Sequence, residues 1–451
     1  MPWLEISQSH WQRPLGENER MIKWIGDRAH AAGREHWSIT VAGSFRLSDV
    51  QQDGKLDERV RKAWKVFRFN HPSIASTAGA NTVDYLVPDA KALEQWTDET
   101  LDIVSDPNTT ADTLFANFKP TPYITGHFLP HTGQFVLHAA HWRTDGYGGL
   151  QLLNAFFDAL ASNIDPATLP WGDEPARLVP SIEEVLELPE EPTPEIQAAT
   201  AECLRSGAVV AGSIGLPYLG DLDTKPRGTH SIRRSLPEST TAAVLAACDA
   251  RNLMPLSAVH ASLAAANFIG SAASANGDGH YTSTMRFGLR PYLREPYNTA
   301  QSASALYSGS YMAKVDPGNS WEENAARYNE LYTAGLSNEF LIARRQFAAQ
   351  VLGMLEKTGS LGPPRSEVDM SSVDDAEKLV SPVHRSGGGV LEVDDINLGV
   401  ECVARETYLF YWMFRGKIEF NLTYNEAFYE KASMEEVMNT IVDALKKGLQ
   451  V

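Results

Sequence analysis

Apolar and polar residues alternate along three stretches of the chain: HWSITVAGSFRL (36–47), YITGHFLPHTGQFVLHAAHW (123–142) and TYLFYWMFRGKIEFNLTYN (407–425). A period of two places successive side chains on opposite faces and predicts strands. Within the second stretch His131-Thr132-Gly133-Gln134 reads as a hairpin turn, and Arg415-Gly416 does so within the third. Elsewhere the period lengthens to that of a helix. Leu150, Leu153, Phe157 and Leu160 fall on one face, and 237–252, 320–336 and 433–449 are further amphipathic helices. The last of these is expected to start from a Ser433 cap. The Ala/Ser-rich run at 257–275 contains His260 and Asn267, which predicts a closely packed buried helix, not a membrane span. Strands and helices are mixed throughout, so the predicted class is α/β in the broad (α+β) sense.

The pattern breaks twice. Residues 163–230 are rich in Pro, Glu and Asp and read as a long crossover. Residues 356–382 are polar and read as a loop or bridging segment. A chain of 451 residues exceeds one simple core. The expected organisation is therefore an N-terminal half at 1–175, a crossover at 176–227 and a C-terminal half at 228–451.

Composition narrows the function. With 43% hydrophobic and 21% charged residues the chain is an ordinary globular protein, not a disordered one. A net charge of −18 argues against non-specific binding to nucleic acid or anionic lipid, though a local basic tunnel could still take an anionic cosubstrate. The three cysteines, Cys203, Cys248 and Cys402, are scattered and form no CxxC pair. Neither a disulfide framework nor a metal site is expected, and a reducing compartment fits. The first residues, MPWLEISQSHWQRPLGENERM, contain no apolar signal-peptide core, so the expected location is cytoplasmic.

Candidate chemistry concentrates in HAAHWRTDGYGGLQLLNAF (138–156). The spacing of His141 and Asp145 leaves two readings open: a base with its supporting carboxylate, or a satisfied histidine beside a tight turn. The context is a strand end, a glycine turn and a helix, which together hold a side chain rigidly in a cleft. In that turn Asp145 is suited to cap the helix or to pair with an arginine. A neutral imidazole can remove a hydroxyl proton near neutral pH without any enzyme nucleophile. The chain contains no G-x-S-x-G elbow, HExxH or Walker A loop, and the glycine run at 386–395 reads as a turn. His138 falls on the opposite strand face from His141, so the two are not expected to hold a metal together.

The HWRTDG segment resembles the HxxxDG motif of the chloramphenicol-acetyltransferase-like superfamily. That superfamily includes plant BAHD acyltransferases, peptide-synthetase condensation domains and fungal trichothecene O-acetyltransferases, and the likeness is greatest to the fungal trichothecene 15-O-acetyltransferase type. It extends over the whole chain and includes YTSTMRFGLRPYLREPYNTAQSASALYSGSYM (281–312), similar to the family's LRPYL-type strand. The DFGWG segment of plant BAHD enzymes is absent, and Ala140 stands where condensation domains usually carry a second histidine.

The resemblance implies two halves, each a mixed sheet flanked by helices, with a tunnel between them. It implies His141 as general base, Asp145 held by an ion pair with Arg290, and Gly146, Tyr147 and Ser310 as substrate-binding groups, with Ser308 and Tyr311 as neighbouring candidates. It further implies acyl-CoA, most simply acetyl-CoA, as cosubstrate, an alcohol acceptor from secondary metabolism, no tightly bound cofactor and a monomer. Two alternatives stay open: condensation or cyclisation with a carrier-bound acyl chain, and a binding or scaffold protein that keeps the fold.

Overall fold

The computed structural model describes residues 2–48, 53–221, 223–271, 279–360, 365–387 and 389–451. Parts of four sequence segments lie outside them: Leu222 of the crossover, 272–275 of the Ala/Ser-rich run, 361–364 of the second interruption, and Gly388. The described residues form two compact units. The first comprises Met1–Leu188, Leu289–Tyr307 and Ala376–Gly399; the second comprises Pro189–Gly288, Ser308–Asp375 and Val400–Val451. Two segments from late in the chain thus belong to the first unit.

In the first unit a six-stranded sheet has the order Val383–Ser386, Gly389–Val400, Ile39–Leu47, Gln134–Ala139, Thr125–Leu129, Leu101–Ile103. The hairpin expected within 123–142 forms from Thr125–Leu129 and Gln134–Ala139 with Leu129 opposite Gln134, and Leu101–Ile103 joins it in parallel, so the sheet is mixed. The helix Gly146–Ser162 lies on this sheet. Its Leu150, Leu153, Phe157 and Leu160 are fully buried, and Phe156 stacks on Phe135 at 3.6 Å. Aromatic rings stacked at such a distance fix the helix rotationally as well as by burial. Most of the segment 386–395, read as a turn, is strand instead: Ser386 ends Val383–Ser386, and 389–395 belong to Gly389–Val400, paired antiparallel with Ser386 opposite Gly389. A smaller sheet, ordered Leu4–Ser7, His10–Pro14, Thr82–Leu86, Thr77–Ala78, completes the unit.

The second unit is built on a mixed sheet ordered Val368–Asp375, Thr407–Phe414, Lys417–Asn425, Thr229–Ser235. Arg415 (φ 49°) and Gly416 (φ 71°) turn the chain between its two central strands, the left-handed pair that a two-residue hairpin requires. The helices Pro255–Gly270, Trp321–Ala334 and Lys431–Leu449 supply the rest of the core, in which Val259, Leu263, Tyr328, Met438 and Leu445 are buried. A separate ribbon pairs Tyr281–Gly288 with Ser308–Val315.

Three other sequence expectations change. The polar segment 356–382 contains a strand, Val368–Asp375, whose buried polar residue, Asp369, has its charge met inside the fold while the other polar side chains stay half-buried. Asp369 pairs with Arg286 at 2.9 Å, and the Asn267 amide group bonds both backbone groups of Val368. The crossover contains a 13-residue helix, Pro194–Ser206, opened by Thr193 as cap and Pro194 in the first turn. The final helix begins at Lys431 with Glu430 as its cap, so Ser433 lies inside the first turn. No helix among the described residues is long and apolar enough to cross a membrane.

Candidate active site

His141 follows the strand Gln134–Ala139 and opens a 3-10 turn, His141–Arg143. Its flanks anchor it. Ala140 and Trp142 are buried in a cluster with Leu15 and Val83, while the imidazole itself is half-buried. Arg143 is buried; its guanidinium lies 4.2 Å over the Trp142 ring and donates to the carbonyls of Ser76 and Pro122. Desolvation lowers this arginine to about 10, still charged at neutral pH. The turn is therefore tied to the surrounding backbone on both sides of the histidine.

The Nδ1 atom of His141 lies 3.0 Å from the carbonyl oxygen of Thr144. A carbonyl only accepts, so this bond places the proton on Nδ1 and makes Nε2 the basic nitrogen. Thr144 is fixed in turn, its hydroxyl donating to the carbonyl of Ala303 at 2.8 Å.

Asp145 caps the helix Gly146–Ser162 by accepting from the Gly148 N–H at 2.8 Å. Arg290 donates to both carboxylate oxygens, at 2.8 and 3.0 Å, and the Tyr307 N–H donates to Oδ2 at 2.9 Å. Asp145 is 3% exposed and Arg290 6%, so the charges meet away from water. Each stabilises the other only as a pair. Arg290 also donates to the carbonyl of Ser302 at 3.2 Å. Gly148 stands against this junction: a Cβ there would collide with the Ala303 carbonyl oxygen, the Thr144 hydroxyl and the Arg290 guanidinium. Only glycine lets the helix and the segment 302–307, a strap across its N-terminus, approach so closely.

Of the residues named from sequence, the structure brings His141, Asp145, Gly146, Tyr147 and Arg290 together in the first unit. Gly146 and Tyr147 are the first helical residues, whose N–H groups precede the intrahelical ladder. Ser310 belongs to the second unit, half-buried and opposite Arg286 in the ribbon. Sequence reasoning missed the Thr144 carbonyl and the Tyr307 amide, since backbone groups carry no residue-type signal. His138 is a packing residue: it is buried, bonded to the Thr40 hydroxyl at 3.1 Å and stacked on Phe118 at 4.0 Å.

No family model matches the chain. An acetyltransferase of Monascus ruber, pigO, is 51% identical over all of this chain and 99% of its own length. The chain belongs to this acetyltransferase family. A second Monascus ruber relative, the O-acetyltransferase pigM, is 27% identical over all of the chain and 88% of its own length. Among solved structures, the TRI3 trichothecene 15-O-acetyltransferase from Fusarium sporotrichioides superposes with a TM-score of 0.81 at 17% identity, covering 98% of this chain and 97% of that one. The two mixed sheets thus belong to the chloramphenicol-acetyltransferase-like fold, and the protein is an acyltransferase.

For an acyltransferase the cysteines matter, because a thiolate could accept the acyl group. Burial pushes Cys248 up to about 11 and Cys402 up to about 12, and it also raises the half-buried Cys203. None is a thiolate at neutral pH, so none is a ready nucleophile.

Proposed function

We propose that this acetyltransferase-family protein moves an acyl group, most simply acetyl, from CoA to a hydroxyl of a secondary metabolite, with His141 as general base. The observation that supports this reading most is the Nδ1 contact with the Thr144 carbonyl at 3.0 Å, which assigns the basic lone pair to Nε2. The O-acetyltransferase names of pigM and of the trichothecene enzyme support an oxygen acceptor.

Nε2 takes the proton from the acceptor O–H, and the oxygen attacks the thioester carbonyl carbon. A C–O bond forms and the carbonyl oxygen becomes an oxyanion. As the C–S bond breaks, Nε2 returns its proton to the departing sulfur, leaving ester and free CoA thiol. No acyl-enzyme is formed. Base catalysis and proximity supply most of the acceleration. Gly146, Tyr147 and Ser310 are assigned to binding, with N–H or O–H groups directed at substrate oxygens. Asp145 acts on the chemistry through the loop it holds, paired with Arg290. The enzyme is assigned as a cytoplasmic monomer with no resident cofactor.

The test is incubation with acetyl-CoA and a panel of hydroxylated secondary metabolites, following thiol release and ester formation. His141→Ala should abolish turnover while melting like the parent. Turnover retained in that variant would overturn the assignment of the base. Activity only with an acyl chain on a carrier protein, and none with CoA thioesters, would overturn the donor.

A further inference from the structure

A second aromatic residue is built against the proposed base. The Trp37 indole meets the His141 imidazole edge-on, with ring centroids 6.4 Å apart and planes at 72°. The same indole stacks on His36 at 4.6 Å, and His36 is itself buried. The sheet explains the encounter: Ile39 pairs with Ala139 in antiparallel register, so the residues two before and two after that pair meet at the strand ends.

The backbone at this point is unusual. Trp37 has φ 63°, in the left-handed region that bulky L-residues rarely adopt. Fixed partners on both sides impose it. Arg34 donates to the Ala116 carbonyl at 2.8 Å, the His36 N–H donates to Gly26 O at 3.2 Å, and the Ser38 N–H donates to Glu35 O at 3.1 Å. A residue held in such a conformation beside a catalytic group is a mark of function more than of packing.

We propose that Trp37 is a positioning residue for His141: its indole fixes the imidazole plane so that Nε2 meets the acceptor hydroxyl, and it keeps water from that side of the ring. This rests on the reading of His141 as the base.

The test compares Trp37→Gly, Trp37→Phe and His141→Ala with the parent, using acetyl-CoA and the acceptor alcohol selected by the panel above. Glycine removes the ring but accepts the left-handed backbone, so thermal stability should stay near the parent's. Its kcat should fall about ten- to hundredfold with KM for both substrates little changed, the pattern of a misplaced reacting group. Trp37→Phe, which keeps a ring, should recover most of kcat. Should the glycine variant not fold, Trp37→Asn, another residue tolerated at positive φ, takes its place. Parental kcat in the ringless variant, a rise in KM alone, or a phenylalanine variant as slow as the glycine one would each overturn the proposal. His141→Ala separates the two failures. If it retains turnover, the underlying reading falls; if it is dead while the ringless variant is as fast as the parent, only the role of Trp37 falls.

Discussion

Asp145 joins four parts of the site through two oxygen atoms: a helix N-terminus, the Arg290 guanidinium, the Tyr307 amide and, through the chain, the turn that carries His141. Asp145→Ala would leave a nearly inaccessible Arg290 without its counter-charge, at a cost of about 3–5 kcal/mol. We expect a lower denaturation midpoint together with lost turnover; a variant that melts like the parent would show that Arg290 finds another partner. At this scale much of the site is legible in the sequence, because HWRTDG and the segment around Arg290 consist of residue types with distinctive chemistry. What stays hidden is backbone. The Thr144 carbonyl and the Tyr307 N–H look like every other peptide group, and the left-handed twist at Trp37 falls in a stretch that reads as the start of a strand.

The helix Gly146–Ser162 and the strap 302–307 approach so closely that the side chain of one residue decides the fit. Gly148→Ala inserts a methyl group where the Ala303 carbonyl and the Thr144 hydroxyl already stand, and should destabilise by about 1–3 kcal/mol. Since Thr144 also holds His141, kcat should fall with stability; a variant as stable and as active as the parent would show that the strap yields. Elements with a clean period, such as the hairpin at 125–139 and this helix, could be read directly. The strand Val368–Asp375 could not. Its polar residues mimic a loop, and the partners that secure it lie far along the chain: Arg286 and the Thr284 N–H for the Asp369 carboxylate, and Asn267 for the Val368 backbone.

On the scale of the molecule, burial of neutral imidazoles sets an acid limit. Desolvation holds His71 near 4 and His138 and His260 near 3, against about 6.5 for an unfolded imidazole. Between those values the unfolded chain binds more protons, so this contribution is intact at pH 7 and declines as pH drops below about 6.5. At pH 5 each of the three histidines should cost about 2 kcal/mol. Denaturation midpoints measured at pH 7, 6 and 5 should fall accordingly; an unchanged midpoint would mean these rings are protonated in the fold. Length suggests more than one core, but no local pattern in the sequence marks 289–307 and 376–399 as part of the first compact unit.

That interleaving puts the enzyme's assembly on a clock. During synthesis Asp145 precedes its partner Arg290 by 145 residues, roughly seven to thirty seconds at ordinary elongation rates. Over that interval Asp145 lacks its counter-ion, and the six-stranded sheet still lacks the strands Val383–Ser386 and Gly389–Val400. A nascent chain stalled after residue 188 should therefore be cut readily by protease around 140–150, and one stalled well past residue 400 should resist. The turn that carries His141 is made well before the arginine and the two strands that complete its surroundings.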